Sequence, residues 1–423
     1  MFTRRGLLKS GAALAAVASG LALPAFAQTK KLKIGYVSPQ TGPLSAFSAA
    51  DSFMVERFLA AAPALGLEVE VIVKDSQSNP NRAAEVAKEL ITRDGVNLIL
   101  VASTPETTNP VCSIAEQEEI PVISTVAPWQ PWFIGQQGNP GDPASWQAFD
   151  YVYHFFWGLE DNVAVFLNMW NSVETNKRVG ALWPNDGDGN AWASDVGMPP
   201  VLKEQGYELT DPGRYQNLTD DFSAQITAFK QADCEIMTGI PIPPDFTTFW
   251  TQAKQQGYNP KLVSVAKALL FPESVAALGE LGHNLTAEVW WSPNHPFKSS
   301  LTGETAGEMA AAFEAAANRQ WTMPVGFVHA LFEVAADAIK RTDDPTDADA
   351  LAAAIAATDL DSVVGKIQWG RDNVPEFARK NVSKTPLVGG QWRRKEDGSF
   401  DLVIVENALA PEIPTGGTLE TLR

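Results

Sequence analysis

The chain has 423 residues, 45% of them hydrophobic, and a formal net charge of −18. That length exceeds what one hydrophobic core usually organises, so two lobes are expected. So acidic a balance repels polyanions and argues against nucleic acid or an anionic membrane surface as a partner, and two cysteines, Cys112 and Cys234, are too few for a disulfide scaffold.

The chain opens with Arg4, Arg5 and Lys9 ahead of an Ala-rich apolar stretch over 12–23, and Ala25-Phe26-Ala27 has the small-x-small pattern of a cleavage site. These features predict an export signal over 1–27, removed near Ala27. Thr3-Arg4-Arg5, with Leu7-Leu8-Lys9 behind it, fits the twin-arginine type that carries folded chains across a membrane. The stretch is shorter than the about 20 apolar residues a span needs. No later segment is long and apolar enough either, so the product is expected to be soluble.

Lys33-Ile34-Gly35-Tyr36-Val37 predicts a first strand, closed by a turn over 38–43 and followed by a helix over 46–62. Next come a strand over 68–73, a helix over 81–94 with Ala84, Ala87, Leu90 and Ile91 at helical spacing, and an apolar strand over 97–102. A helix over 108–118 and a strand over 120–124 complete the unit. Strands that are apolar throughout, with helices between them, imply a parallel sheet covered on both faces, the doubly wound α/β arrangement.

An insertion rich in Pro, Gly, Gln and Trp over 128–144 follows, and then the pattern restarts. A strand over 178–183 and the turn Asn185-Asp186-Gly187-Asp188-Gly189 repeat the opening motif. Helices over 191–205, 222–231 and 246–256 then alternate with strands near 207 and over 235–240 and 261–265. The prediction is an α/β protein of two doubly wound, Rossmann-like lobes. A strand over 287–292 comes next, and helices over 304–320 and 327–340 belong to no third unit and should return to pack on the first.

Ligands of open α/β sheets bind beyond the carboxyl ends of the strands. Two such sheets facing each other form a cleft that hinge closure can empty of water. Its candidate walls are the loops after strands: 41–47, 103–104, 124–129, 185–190, 240–245 and 266–270.

Lys33-Ile34-Gly35 with Thr41-Gly42-Pro43-Leu44, the segment 98–104, Ile120-Pro121-Val122-Ile123-Ser124 and the segment 179–189 together resemble the leucine/isoleucine/valine-binding family of type I periplasmic solute-binding proteins. No single motif is specific; their order and spacing carry the likeness, which spans most of the chain after the signal and is weakest over 128–177. The resemblance implies three crossings between lobes, with 31–150 plus 290–385 in an N-terminal lobe and 151–289 plus 386–423 in a C-terminal one. Cys112 and Cys234 then lie in different lobes, where a bridge would lock the hinge, so two free thiols are expected. It also implies a small-molecule ligand, an ABC permease of the inner membrane as partner, a periplasmic location, a monomer, and no cofactor or catalysis.

The resemblance further implies that Ser103 and Thr104 hold a ligand carboxylate, that the loop from Ser124 and Thr125 supplies a carbonyl and a hydroxyl, and that Phe47 touches the ligand side chain. Three positions depart from the family pattern: Pro128 stands where that loop has a Thr, Asp188 where an aromatic precedes Gly189, and Ala266-Lys267-Ala268 lacks the acid that meets a ligand ammonium. A buried ammonium without a carboxylate is strongly disfavoured. The expectation therefore moves to a small aromatic or aliphatic carboxylate, with Lys267 as counter-charge and Phe47, Trp129 and Trp132 as apolar walls.

Plainer readings stand beside these. Among the 13 Trp, Trp170, Trp250, Trp321 and Trp369 lie in helical or strand patterns and read as packing. Ser103 and Thr104 also suit a helix cap, a use compatible with anion binding at a helix N-terminus. Asp186-Gly187-Asp188-Gly189-Asn190 superficially suggests a calcium loop, but Ala191 and Gly197 stand where that loop needs Gly and Glu. His154, His283, His295 and His329 show no zinc spacing. Ser264-Val265-Ala266-Lys267 matches S-x-x-K of serine acyl-transferring enzymes, while Ser292-Pro293-Asn294 and Lys384-Thr385-Pro386 fail to complete that set. The functions in competition are thus a transport receptor, a sensing module for a signalling receptor, and a serine acyl-transfer enzyme.

Overall fold

The computed structural model describes residues 30–422; the export signal expected over 1–27 lies outside them. Strands β1 (Lys30–Ser38), β2 (Leu67–Asp75), β3 (Leu98–Ala102), β4 (Val122–Thr125) and β5 (Val152–Phe155) alternate with helices Asp51–Ala61, Pro80–Glu89 and Pro105–Gln117. Every residue of β3 and β4 is buried, as strands covered on both faces require. The helix Pro80–Glu89 starts where the Asn79 side chain accepts from the amides of Asn81 and Arg82, and it buries Ala83, Val86 and Ala87 against the sheet. Gly35 on β1 makes room for the next turn, since a Cβ there would lie 2.7 Å from the Leu90 side chain.

The second unit runs through β6 (Arg178–Leu182), β7 (Glu208–Thr210), β8 (Ile236–Gly239), β9 (Leu262–Val265) and β10 (Thr286–Val289). Two short strands, β11 (Asp359–Ser362) and β12 (Gly365–Gln368), form a separate hairpin, and β13 (Val382–Ser383), β14 (Val388–Arg394) and β15 (Phe400–Glu406) return to the two sheets. The first sheet has the order β13-β5-β4-β3-β1-β2 and the second β15-β14-β10-β9-β8-β6-β7. Each contains the same five-strand parallel order, β2-β1-β3-β4-β5 and β7-β6-β8-β9-β10, so the repeat read from the sequence is a structural repeat. The second sheet is not wholly parallel, because β14 pairs antiparallel with both β10 and β15.

Three passages join the sheets: after β5, after β10, and between β13 and β14. Because β5 pairs with β4 and β13, residues 152–155 lie in the first sheet, not in the second lobe where 151–289 would put them. The helix Leu159–Asn171, which opens the second lobe, begins directly after that passage. At the third passage, Lys384 sits 2.8 Å from Glu160 and 2.7 Å from Asp161. The helix Pro324–Arg341 is buried along nearly its whole length, packed on the first sheet between its neighbours Ala306–Ala317 and Ala348–Ala356.

Two local expectations change. The helix expected over 191–205 is two, Gly187–Trp192 and Met198–Glu204; Pro199 and Pro200 stand in the first turn of the second, where a missing amide hydrogen suits a helix start rather than a helix interior. The insertion over 128–144 contains the helix Trp129–Ile134, which buries Trp129, Trp132 and Phe133 in a second core beside the first sheet.

Candidate functional site

The switch points of the two sheets, between β1 and β3 and between β6 and β8, face each other across a cleft, the place where open α/β sheets take ligands. The lobes touch there. The rings of Phe47 and Phe271 meet edge to face with centroids 4.8 Å apart, the Glu106 carboxylate accepts the Asp188 amide at 3.4 Å, and Arg319 lies 3.5 Å from Glu273. With the walls this close, the cavity at the strand ends is about 20 Å³, room for about one water, while an open pocket of about 730 Å³ lies beside it between Glu106 and Asn109 of the first lobe and Gly187 and Ser194 of the second.

All six loops expected as walls contribute to it: Phe47, Thr104, Val126 with Pro128, Asp188, Ile240, and Lys267 with Leu270. The remaining lining comes from the passages between lobes, namely Phe156, Trp157 and Trp290, and from Glu288 of β10. The hinge aromatics pack on one another, Phe156 against Trp157 at 4.8 Å and against Trp290 at 5.3 Å between centroids. A hinge movement therefore reshapes the cavity directly.

Of the residues singled out in the sequence, Phe47, Thr104, Asp188 and Lys267 line the cavity. Thr104 is the N-cap of Pro105–Gln117, yet its hydroxyl makes no cap bond and has no partner. Ser103 instead pairs its hydroxyl with that of Thr107 at 2.5 Å. Ser124 bonds to His154 Nδ1 at 2.9 Å, and Thr125 donates to the Phe155 carbonyl at 2.6 Å, so both hydroxyls brace β4 against β5. Burial pushes His154 down to about 3, which keeps the ring neutral in that role. Trp129 and Trp132 do not line the cavity: Trp129 reaches Glu160 at 3.3 Å and Trp132 stacks on His154.

Lys267 differs most from its expected role. Its Nζ lies 2.5 Å from Asp188 and 3.8 Å from Asp186, with 4% of its side chain exposed. Burial alone would lower the lysine pKa, but the two carboxylates hold it above the ordinary value and keep the proton on nitrogen. Lys267 is therefore a compensated cation of the second lobe, not a free counter-charge. Asp186 also caps the helix Gly187–Trp192 by accepting from the Gly189 amide at 2.8 Å. Burial pushes Asp188 up to about 7 against the pull of Lys267, and its second oxygen, Oδ1, has no partner.

No acid stands at 266–268, but a buried carboxylate of the next strand lies against that segment. Glu288 of β10 is 1% exposed; one oxygen accepts the Lys267 amide at 3.4 Å and the other, Oε2, has no hydrogen-bond partner. Burial pushes its carboxyl up to about 8. The neighbouring Asn162 amide favours the ionised form without reaching Oε2 in hydrogen-bond geometry. Reading single loops missed Glu288 because it is the strand-end residue of β10; a carboxylate beside Val289-Trp290-Trp291 in an apolar strand was the available signal.

Two cavity residues carry unusual backbone. Val126 and Lys267, following β4 and β9, have φ of 73° and 61°, a region costly for side chains with a Cβ and found where a site over-determines the backbone. Ser264 of the S-x-x-K match is occupied within the sheet, accepting from Trp170 Nε1 at 2.9 Å and pairing with Thr286 at 2.6 Å, while Lys267 is bound to Asp188. Cys112 and Cys234 are free and buried, on Pro105–Gln117 of the first lobe and just before β8 of the second.

Two α/β lobes, three connecting segments and a largely apolar cavity with a few buried polar groups between strand ends define a type I two-lobed ligand-binding protein. Residues 31–376 match the model of the periplasmic binding protein family, and the chain belongs to that family. Among similar solved structures, the leucine-binding protein LivK of Thermotoga maritima is 19% identical with a TM-score of 0.71, covering 89% of this chain and 99% of its own. The branched-chain amino acid transporter substrate-binding protein LivJ of Streptococcus pneumoniae, solved with isoleucine, is 18% identical with a TM-score of 0.69, covering 89% and 100%. A solute-binding protein of an ABC transporter from Rhodopseudomonas palustris, solved with 3,4-dihydroxybenzoic acid, is 17% identical with a TM-score of 0.70, covering 91% and 99%.

Proposed function

We propose that the chain is the exported substrate-binding component of an ABC importer, holding a small organic solute between its lobes and presenting the closed form to a membrane permease. The observation that carries this reading is the convergence of unpartnered buried polar atoms from both lobes on one cavity: Thr104 of the first, Asp188 and Glu288 of the second, and the indoles of Trp157 and Trp290 from the passages. Buried polar groups without partners are costly, and a solute that satisfies them favours the closed form over the open one. The occupied hydroxyl of Ser264 and the paired Lys267 favour binding over acyl transfer.

The test is a thermal-shift screen of the purified chain against amines, amides, carboxylates and amino acids. A solute at 100 times its Kd stabilises the folded state by about 2.7 kcal/mol. A panel in which no solute moves the melting temperature would refute the receptor reading.

A further inference from the structure

The inference below rests on the receptor reading and concerns the chemistry of its solute. The side-chain polar atoms left unpartnered at the cavity are unevenly distributed. The acceptors include two carboxylate oxygens, Glu288 Oε2 and Asp188 Oδ1; the donors are the neutral hydroxyl of Thr104, which can also accept, and two neutral indoles. The only lysine of the wall is already held by Asp188 and Asp186. Glu106, which accepts the Asp188 amide, adds a further carboxylate next to the cavity, and its Oε2 is also unpartnered. A ligand carboxylate entering here would meet four acids and one spent cation.

Aromatic rings close the rest of the space. Phe47, Phe156, Trp157 and Trp290 bring their rings to the cavity, and ring faces attract cations, Trp most strongly. The closed cavity of about 20 Å³ holds about one water, so a solute enters by parting the lobes and takes its place among these rings.

We infer that the solute is a small primary or secondary alkylammonium ion without a carboxylate, its N–H groups directed at Glu288 Oε2 and Asp188 Oδ1 and its alkyl group lying on the hinge aromatics. An N–H cation answers both orphaned oxygens and offsets the acid excess, whereas a neutral alcohol offers a single donor and no charge. The elevated Glu288 pKa has the same cause, an anion buried without a counter-ion. The departures at 188 and 267 also gain a common reason: the two side chains neutralise each other, leaving Glu288 as the acid without a counter-ion, one that a bound cation would hold ionised. This inference departs from the carboxylate solute expected from the sequence, which depended on a free Lys267.

The experiment is calorimetric titration of the wild-type chain at pH 8.5 with propylammonium, tetramethylammonium, 1-propanol, propionamide, propionate and leucine, repeated with Glu288→Gln. Propylammonium is expected to bind at least about tenfold tighter than each of the others, a difference of about 1.4 kcal/mol; tetramethylammonium is weaker because it has no N–H. E288Q should weaken propylammonium by about tenfold or more and propanol by clearly less, since only the ammonium loses a charge partner. Should E288Q fail to fold, the wild-type ranking decides alone. Propionate, leucine, propionamide or propanol binding as tightly as propylammonium overturns the inference and leaves the receptor reading standing. Binding of no probe of any charge overturns both.

Discussion

Replacing Lys267 by Met removes the cation of the buried pair while keeping side-chain length and a Cβ, so the strained φ of 61° is the same before and after. At an effective dielectric constant of about 20, the 2.5 Å contact with Asp188 carries about 7 kcal/mol of attraction and the 3.8 Å contact with Asp186 about 4. Most of that is offset by the desolvation of the three ions, and truncating one partner of such a buried pair typically destabilises by about 3–5 kcal/mol because the remaining charge stays buried. Urea denaturation at pH 8, followed by tryptophan fluorescence, should show a loss of that size. Asp188 is already held at about 7, and without Lys267 it moves higher. At pH 5 the variant's acids therefore take up protons, and the loss should shrink by about half or more. The double variant K267M/D188N should recover most of the stability at pH 8, because it removes both halves of the pair. A K267M loss under about 1 kcal/mol, or one of equal size at pH 5 and pH 8, would show that the ion pair is not what holds this wall.

Glu288 gives the second expectation. Its carboxyl stays protonated to about 8 in the folded chain, above the ordinary 4.5 that it regains on unfolding, so stability falls as pH rises through that interval, by up to about 1.4 kcal/mol per unit. The groups facing it are Asp188, the Lys267 amide and Asn162. The stability difference between E288Q and the wild type should therefore grow in favour of E288Q from pH 5 to pH 8, and a flat difference contradicts the assignment. Phe47→Ala removes a first-lobe ring that meets Phe271 of the second; the lost aromatic contact of about 0.5–1.5 kcal/mol should weaken solute binding roughly 2- to 10-fold, with unchanged affinity as the refuting result. Burial pushes the Cys112 thiol up to about 12 and raises Cys234, so neither should react with iodoacetamide at pH 8 in the folded chain, and both should in urea.

The doubled α/β order was legible because parallel strands buried on both faces are mostly apolar without alternating: 98–102 and 120–124 in one half, 235–240 and 261–265 in the other. Strand-end loops were legible for the same reason, and each of the six contributes to the cavity. The strands from Asp359 onward were not anticipated, since β14 and β15 alternate or carry Gly389 and Gly390, and β14 takes its place by pairing with β10 across about a hundred residues and β15 by pairing with β14. Trp129 read as a ligand wall from its position after β4; the helix it begins turns it into the second core.

Local pattern and chain length determined the class of fold, the presence of two similar lobes and which loops would face one another, because burial periodicity and turn chemistry act over a few residues. The charge state of the cleft was decided only by tertiary structure. Lys267 reads as a free cation in its own segment, and becomes a spent one because the turn after β6 brings Asp186 and Asp188 to it. Glu288 reads as a strand residue, and becomes the acid of the site without a counter-ion because β10 ends where the lobes meet. Electrostatics depends on distance in space, and neither pairing is encoded within any one stretch of the chain.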